Sequence, residues 1–497
     1  MSLLKKIILM TSLALPALAL TAGSPKRGVC WDEGNLPLGA THARLLSEGV
    51  SWVYNWGPDA RNPEIYDETF SFQPMAWNGA YNATRIKAWL KAHPETRYLL
   101  GFNEPNFADQ ARMTPAAAAA SWPALEAIAA EFGVKLVAPV LNFSGSQVGG
   151  KVWSPYEWYD EFFRLLPDAK VDLLALHCYM NWYGSNTWFA TEYFYSDLYN
   201  RSKECYGRYP NLVAFLDRYK AAHGHFPRMM LTEFCSWEND GSITGVDFQI
   251  DQMTQKVQKL EQSDLVEGYA WFMANDSKGA GSYPYMSLLQ RNTADSPLSD
   301  LGKVYVSMSA FDKEKFYSPG ERIEAKDYVN ATTDDQRIRV RPNSEASSAL
   351  PLQIEIPASG YADYQINVPS DGTYRFLFHV KTQAATKLVL YVDSRKSESV
   401  SVPSTDGVWR DVEIVAPLTA GHHTVMPYNS GSASLWVNAL SFDTTGAVGD
   451  ITAADAEITE VFTLGGISLG KADINSLAPG FYPVRLSDGK NRIIKVD

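Results

Sequence analysis

The sequence predicts an α/β protein: a (β/α)8 TIM barrel, then an all-β sandwich and a small C-terminal β segment. Three observations predict it. Eight short apolar or aromatic runs occur before residue 280, and the later ones are near-continuous, as parallel strands buried on both faces are. Helical patterns lie between most of them. Beyond about residue 310 Pro, Ser, Thr and Asp rise, helical periodicity stops, and short alternating strands separated by turn residues follow.

In chain order, residues 1–22 read as an export signal, with Lys5 and Lys6 basic, Ile7 to Leu20 apolar and Ala17-Leu18-Ala19 as the cleavage site. The eight strand runs are Arg27–Trp31, Ser51–Trp56, Phe72–Trp77, Tyr98–Glu104, Lys135–Leu141, Val171–Tyr179, Met229–Cys235 and Glu267–Met273. Helices are expected over Asn82–His93, Ala116–Phe132 behind the Thr114-Pro115 cap, Asp160–Leu166, Leu212–Ala222 and Phe248–Leu260. Eight strands in roughly 250 residues fit one barrel, assigned to 23–315. A doubly wound sheet is the alternative, but no glycine-rich phosphate loop supports it. The sandwich spans 316–444, with an independent core, and 445–497 holds a linker and short β runs.

The net charge is −12, two units more negative without Lys5 and Lys6. An acidic chain lacking a basic run is a poor nucleic-acid binder and is compatible with a neutral substrate. No segment is a good membrane span. The reading is therefore an exported monomer, periplasmic, cell-surface or extracellular. Four cysteines, Cys30, Cys178, Cys205 and Cys235, lack zinc spacing; a Cys178–Cys205 bridge and buried free thiols are equally open.

Chemistry concentrates at the strand ends. Leu99-Leu100-Gly101-Phe102-Asn103-Glu104-Pro105 is an apolar run that delivers a carboxylate to its tip, and Met229–Glu233 repeats the logic. Hydrolysis of a glycosidic bond needs such a pair, one carboxyl as acid and one as nucleophile or base. Asn103 is placed to hydrogen-bond a sugar hydroxyl. His177 and Tyr179 share one face of strand 6 and can tune a glutamate. Trp52, Tyr54 and Trp56 share one face of strand 2, either lining the mouth or packing against helices. Trp77, Trp182, Trp237 and Trp271 complete the candidate substrate-binding set. No cofactor and no metal cage is expected in this ring, and Gly-x-Ser-x-Gly is absent.

These motifs resemble glycoside hydrolase family 128, in the large retaining clan of (β/α)8 glycosidases. The matching pieces are Trp52–Gly57, Phe72–Trp77, Leu99–Asn106, Met113–Pro115 with Trp122-Pro123, Leu136–Pro139, Ala175–Tyr179 and Leu231–Cys235, in family order. The resemblance implies retaining cleavage of β-1,3-glucan, with Glu104 as acid/base and Glu233 as nucleophile. A related hydrolase acting on a β-1,4 or mixed-linked glucan, and a non-catalytic glycan-binding protein, are the alternatives. Residues 316–444 resemble a family 6 carbohydrate-binding module through Ile323–Tyr328, Gly360–Pro369, Trp409 and Gly421–Thr424. That resemblance implies sugar stacking on Tyr361 and Trp409 and a structural calcium near Glu324 and Asp443, although Lys326 stands where a second acid is common. Leu477–Arg485 is similar to the C-terminal sorting domains of secreted Bacteroidetes proteins.

Overall fold

The computed structural model describes residues 23–496 except 144, 182–207, 334–336, 344–349, 445–457, 465, 472–475, 479 and 487–490. Eight parallel strands form the first sheet: β1 Ser24–Cys30, β2 Val50–Tyr54, β3 Ser71–Phe72, β4 Tyr98–Leu100, β5 Lys135–Val137, β6 Leu173–Cys178, β7 Arg228–Phe234 and β8 Val266–Trp271. Their order is β3-β2-β1-β8-β7-β6-β5-β4. The sheet curls until its edges meet. Leu100 N–H donates to Pro74 O and Ala76 N–H to Leu100 O, both at 2.9 Å.

Helices α1 Ala40–Ser47, α2 Ala83–Ala92, α3 Pro115–Phe132, α4 Pro155–Leu165, α5 Pro210–His223, α6 Val246–Gln262 and α7 Asp300–Ser307 follow individual strands. Their starts are written locally. Asn82 and Thr114 accept N–H bonds from their first turns, and Ser154 with Glu157 forms a capping box. The β2–β3 connection departs from the repeat, holding only the 3-10 turn Pro63–Ile65. No described helix is long and apolar enough to cross a membrane.

Two apolar layers flank the curled sheet. The inner one contains Trp52, Tyr54, Tyr98, Leu100, Met230 and Ala270, with Trp56, Trp77 and Phe272 packed against its upper edge. Trp52 fits because β1 carries Gly28 beside it; a Cβ there would lie 2.3 Å from the indole. The outer layer lies under the helices.

The second region holds a six-stranded and a five-stranded antiparallel sheet between Arg322 and Thr444. Buried residues of both, such as Phe378 and Leu390, belong to one apolar cluster. That same cluster runs through Met308, Phe311, Tyr317 and Tyr328 into the barrel's outer layer. The expected independent core is therefore corrected: the two cores are continuous. Polar ties reinforce the join. Arg341 Nη1 donates to Asp251 on α6 at 2.7 Å, its Nε lies 3.2 Å from Asp247, and Gln262 Nε2 donates to Val329 O at 2.6 Å. A further antiparallel sheet comprises Ile458–Phe462, Ser468–Gly470, Gly480–Leu486 and Asn491–Val496.

Candidate active site

Glu104 lies four residues beyond β4, on a tight turn. Its φ is +43°, in the left-handed region. Its N–H donates to Val140 O at 2.8 Å, and Phe107 N–H returns to its carbonyl at 2.9 Å. This turn aims a buried carboxylate into the mouth. Oε1 accepts from Asn142 Nδ2 at 2.8 Å and lies 2.6 Å from His177 Nδ1.

Glu233 belongs to β7 and is only 3 % exposed. Its Oε1 accepts from Trp56 Nε1 at 2.7 Å and Tyr54 Oη at 3.0 Å. Its Oε2 accepts from the Tyr179 hydroxyl. His177 Nδ1 lies 3.4 Å from Oε2, so one imidazole nitrogen touches both glutamates.

A β-bulge explains the convergence. Against β6, Leu176 pairs with Leu231 but His177 pairs with Glu233. Against β8, Tyr269 pairs with Leu231 and Trp271 with Phe234. Both neighbours register one extra residue in β7 at this point, and bulges re-aim side chains in this way. Thr232 and Glu233 can then both address His177: Thr232 Oγ1 lies 3.0 Å from His177 Nε2. Strict alternation would put them on opposite faces, which hides Thr232 from sequence reasoning.

The electrostatics follow from burial and proximity. Burial pushes the Glu233 carboxyl above its ordinary value; His177 opposes that push, Glu104 adds to it, and the Tyr179 and Trp56 bonds pull down. Burial works against a charged His177, but Glu233 and the bond to Glu104 outweigh it and raise the imidazole pKa. The Cys178 thiol is pushed up to about 11, largely by burial. Cys30 and Cys235 are also buried and raised, so neither is a ready nucleophile. Cys205, and with it the Cys178–Cys205 expectation, lies outside the described residues.

Glu104, His177 and Glu233 each offer an atom within 4.8 Å of the others, a spacing that would also admit a cation. Yet both ring nitrogens are committed, Nδ1 to the carboxylates and Nε2 to Thr232. The arrangement suits proton handling between two carboxyls.

Around this centre stands an aromatic wall. Trp56 and Tyr179 meet Phe272 edge-on, and the 43 % exposed Trp237 lies nearly parallel to Phe272 at 5.7 Å. Trp77 flanks the inner layer, and its carbonyl accepts from Asn103 N–H. Asn103 is 3 % exposed; its Nδ2 donates to Gln110, while Oδ1 has no hydrogen-bond partner. Trp182 lies outside the described residues.

Two expectations are corrected. Trp271 does not line the mouth: its indole N–H donates to Met286 O at 2.7 Å and its ring packs on Phe234 in the outer layer. Period-two alternation from Ala270 puts Phe272 inward instead. Glu324 and Asp443 do not converge on a cation. Glu324 sits opposite Ala439 on the strand Leu435–Thr444, four positions from Asp443 and so roughly 13 Å along it. Lys326 Nζ fills the acidic pocket, 3.3 Å from Glu324 and 3.0 Å from Asp327. Tyr361 and Trp409 are half-buried, each one residue ahead of a strand of a different sheet; Trp409 stacks on His379 at 5.2 Å, with Lys381 over its ring. Asn142 and Phe272 enter the site although the sequence assigns them no substrate role; Asn142 directly follows the strand-5 run, much as Glu104 ends that of strand 4.

Residues 28–305, more than half of the chain, match the family described as glycosyl hydrolase catalytic core. The chain belongs to that family. It is a glycoside hydrolase, and the match encloses both glutamates and their partners. Alkali-sensitive linkage protein 1 of Schizosaccharomyces pombe is 24 % identical over 290 residues, 57 % of this chain and 45 % of the relative. The hydrolase thus spans less than half of that relative's length. Among solved structures, a family 128 subgroup II endo-β-1,3-glucanase of Pseudomonas viridiflava is 33 % identical, covering 58 % of this chain and 99 % of that one, with a TM-score of 0.43. A second such enzyme, from Sorangium cellulosum, is 28 % identical, with 57 % and 98 % covered and a TM-score of 0.42.

Proposed function

We propose that this glycoside hydrolase cleaves β-1,3-glucan with retention, by double displacement. The observation that carries the mechanism is the spacing of the two carboxyls. An oxygen of Glu104 lies within 4.8 Å of one of Glu233. Retaining enzymes separate theirs by roughly 5–5.5 Å and inverting ones by roughly 6.5–9.5 Å.

The hydrogen bonds support a division of roles. Glu233 receives three donors, on both oxygens, which favours the carboxylate and leaves no good acceptor for a proton of its own. It attacks the anomeric carbon as the bond to the leaving oxygen breaks. Glu104 gives that oxygen its proton. Water then attacks the glycosyl-enzyme bond, Glu104 takes its proton, and Glu233 leaves as a carboxylate. His177, in contact with both, follows the charge as it moves. The buried Asn103 Oδ1 has no hydrogen-bond partner, and the Trp237–Phe272 pair offers a ring-stacking face for sugar.

The β-1,3 linkage rests on the ordered motif set from Trp52 to Cys235 that resembles family 128. A related β-glycan is the second reading. Residues 1–22 direct export. The decisive experiment follows reducing-sugar release from linear β-1,3-glucan beside β-1,4-glucan, xylan and mannan, with NMR of the first product anomer. Release from β-1,3-glucan with the β-anomer appearing first is expected. An α-anomer first overturns retention, and preference for another glycan overturns the linkage.

A further inference from the structure

Helix α6 carries an unusual inner face. Gln249 and Lys256, two helical turns apart, are 0 % and 1 % exposed, where an apolar stripe would be ordinary. Lys256 sends its ammonium behind the ends of β6 and β7. Its Nζ donates to Met180 O at 2.5 Å, Cys235 O at 3.2 Å and Ser236 Oγ at 3.1 Å. Three donors thus meet three acceptors. Among the described residues no carboxylate pairs with it at salt-bridge distance.

The three oxygens belong to two chain segments. Met180 follows Tyr179, and Cys235 and Ser236 follow Glu233 by two and three residues. These segments still hydrogen-bond at the rim, Cys235 N–H to Cys178 O at 3.2 Å and Trp237 N–H to Tyr179 O at 2.9 Å. Gln249 holds the same loop, accepting from Ser236 N–H and donating to Ser236 O and Pro284 O. A buried ammonium without a counter-ion is costly to desolvate. Burial accordingly lowers its pKa, with the Cys178 and Cys235 thiols and Glu238 as the neighbours that oppose this.

We infer that Lys256 is a positioning residue, a clamp that sets the distance between the Tyr179 hydroxyl and Glu233 by tying together the two backbones that carry them. The inference rests on Glu233 being the nucleophile. A misplacement near 1 Å at a reacting centre costs about a hundredfold in rate. The Tyr179 bond also holds the Glu233 carboxyl down. Loosening it therefore raises that pKa and moves the acid limb of kcat/KM to higher pH. The other titratable groups facing Glu233 are Glu104, His177, Tyr54, Cys30 and Cys235. The clamp touches the Cys235 carbonyl and leaves the others untouched.

The test compares Lys256→Met, Lys256→Arg and Ser236→Ala in the full chain with Glu233→Gln, reading kcat, KM and the acid limb on soluble β-1,3-gluco-oligosaccharides. Lys256→Met is expected to lower kcat about ten- to a hundredfold with KM nearly unchanged and to shift the acid limb upward. Lys256→Arg should recover part of both. Ser236→Ala, which removes one acceptor and leaves the fold intact, should shift the limb in the same direction by less. Wild-type kcat and an unmoved limb in Lys256→Met overturn the inference. If Lys256→Met does not fold, an unmoved limb in Ser236→Ala overturns it. An active Glu233→Gln overturns the nucleophile assignment instead, so the two failures are distinct.

Discussion

The cradles of Glu104 and Glu233 differ in kind. Glu104 stands on a backbone turn outside any strand and receives one amide donor and one titratable ring. Glu233 stands inside a bulged strand and receives two hydroxyls and an indole, none of which titrates near neutrality. On the proposed mechanism Glu104 exchanges a proton twice per cycle, and it has the closer contact with a proton-exchanging ring. The proposed nucleophile, which would have to be anionic when it attacks, is held mainly by donors that keep their protons, with the His177 ring 3.4 Å from its Oε2. The proposed division of labour therefore rests on the partners, since the two carboxyls are chemically identical and both buried.

The strongest way to break this comparison is to neutralise each side in turn. Glu233→Gln should remove turnover by several orders of magnitude while oligosaccharide binding, followed by calorimetry, stays close to wild type. Residual hydrolysis within a few-fold of wild type would reverse the roles. Glu104→Ala should cost nearly as much on polysaccharide and far less on an aryl glycoside with an acidic leaving group, which needs no proton. Azide should rescue it as the β-glycosyl azide; the α-azide, or equal rescue of both variants, would count against it.

A finer test removes one donor. Tyr179→Phe leaves Glu233 buried beside Glu104 with two donors, so its pKa rises further. Activity requires the carboxylate, so the acid limb of kcat/KM should move to higher pH and kcat fall about tenfold. Asn142→Ala, which removes a donor from Glu104 and none from Glu233, should leave that limb in place. Identical profiles for the two variants would dissolve the distinction between the cradles.

The smallest expected effect concerns the second region. The sequence supports a detachable sandwich, and the structure does not. Deleting 316–497 exposes Phe311 and the flank of α6, and it frees Asp247 and Asp251 from Arg341. The truncated chain should lose several degrees in Tm and a modest part of kcat on soluble oligosaccharides. An unchanged Tm by calorimetry would restore the detachable domain.

What could be read from sequence was what depends on local pattern. Apolar runs ending in Glu104 and Glu233 mark strand ends, and the two-residue spacing of His177 and Tyr179 places both on one face. What escaped depends on departures from pattern. The bulge at Thr232 breaks alternation without a glycine or proline to announce it. Trp271 and Phe272 are equally aromatic, so composition could not say which faces inward. Lys256 sits in a helix whose polar residues look solvent-facing until the strands behind it are known. The Glu324–Asp443 pairing failed because strand register is not legible in residue type. The continuity of the two cores escaped sequence reasoning because Phe311 and Tyr328 resemble any other buried aromatics.

The turn at Glu104 has one more implication. A side chain at φ +43° costs of order 1–3 kcal/mol against a relaxed backbone. Glycine would sit there without that cost. This hydrolase therefore carries a mutational slope on which thermal robustness and turnover point in opposite directions. A library screened by heat alone would be enriched in chains that have discarded the proposed catalytic acid, so selection for hardiness must be coupled at every round to selection for sugar release.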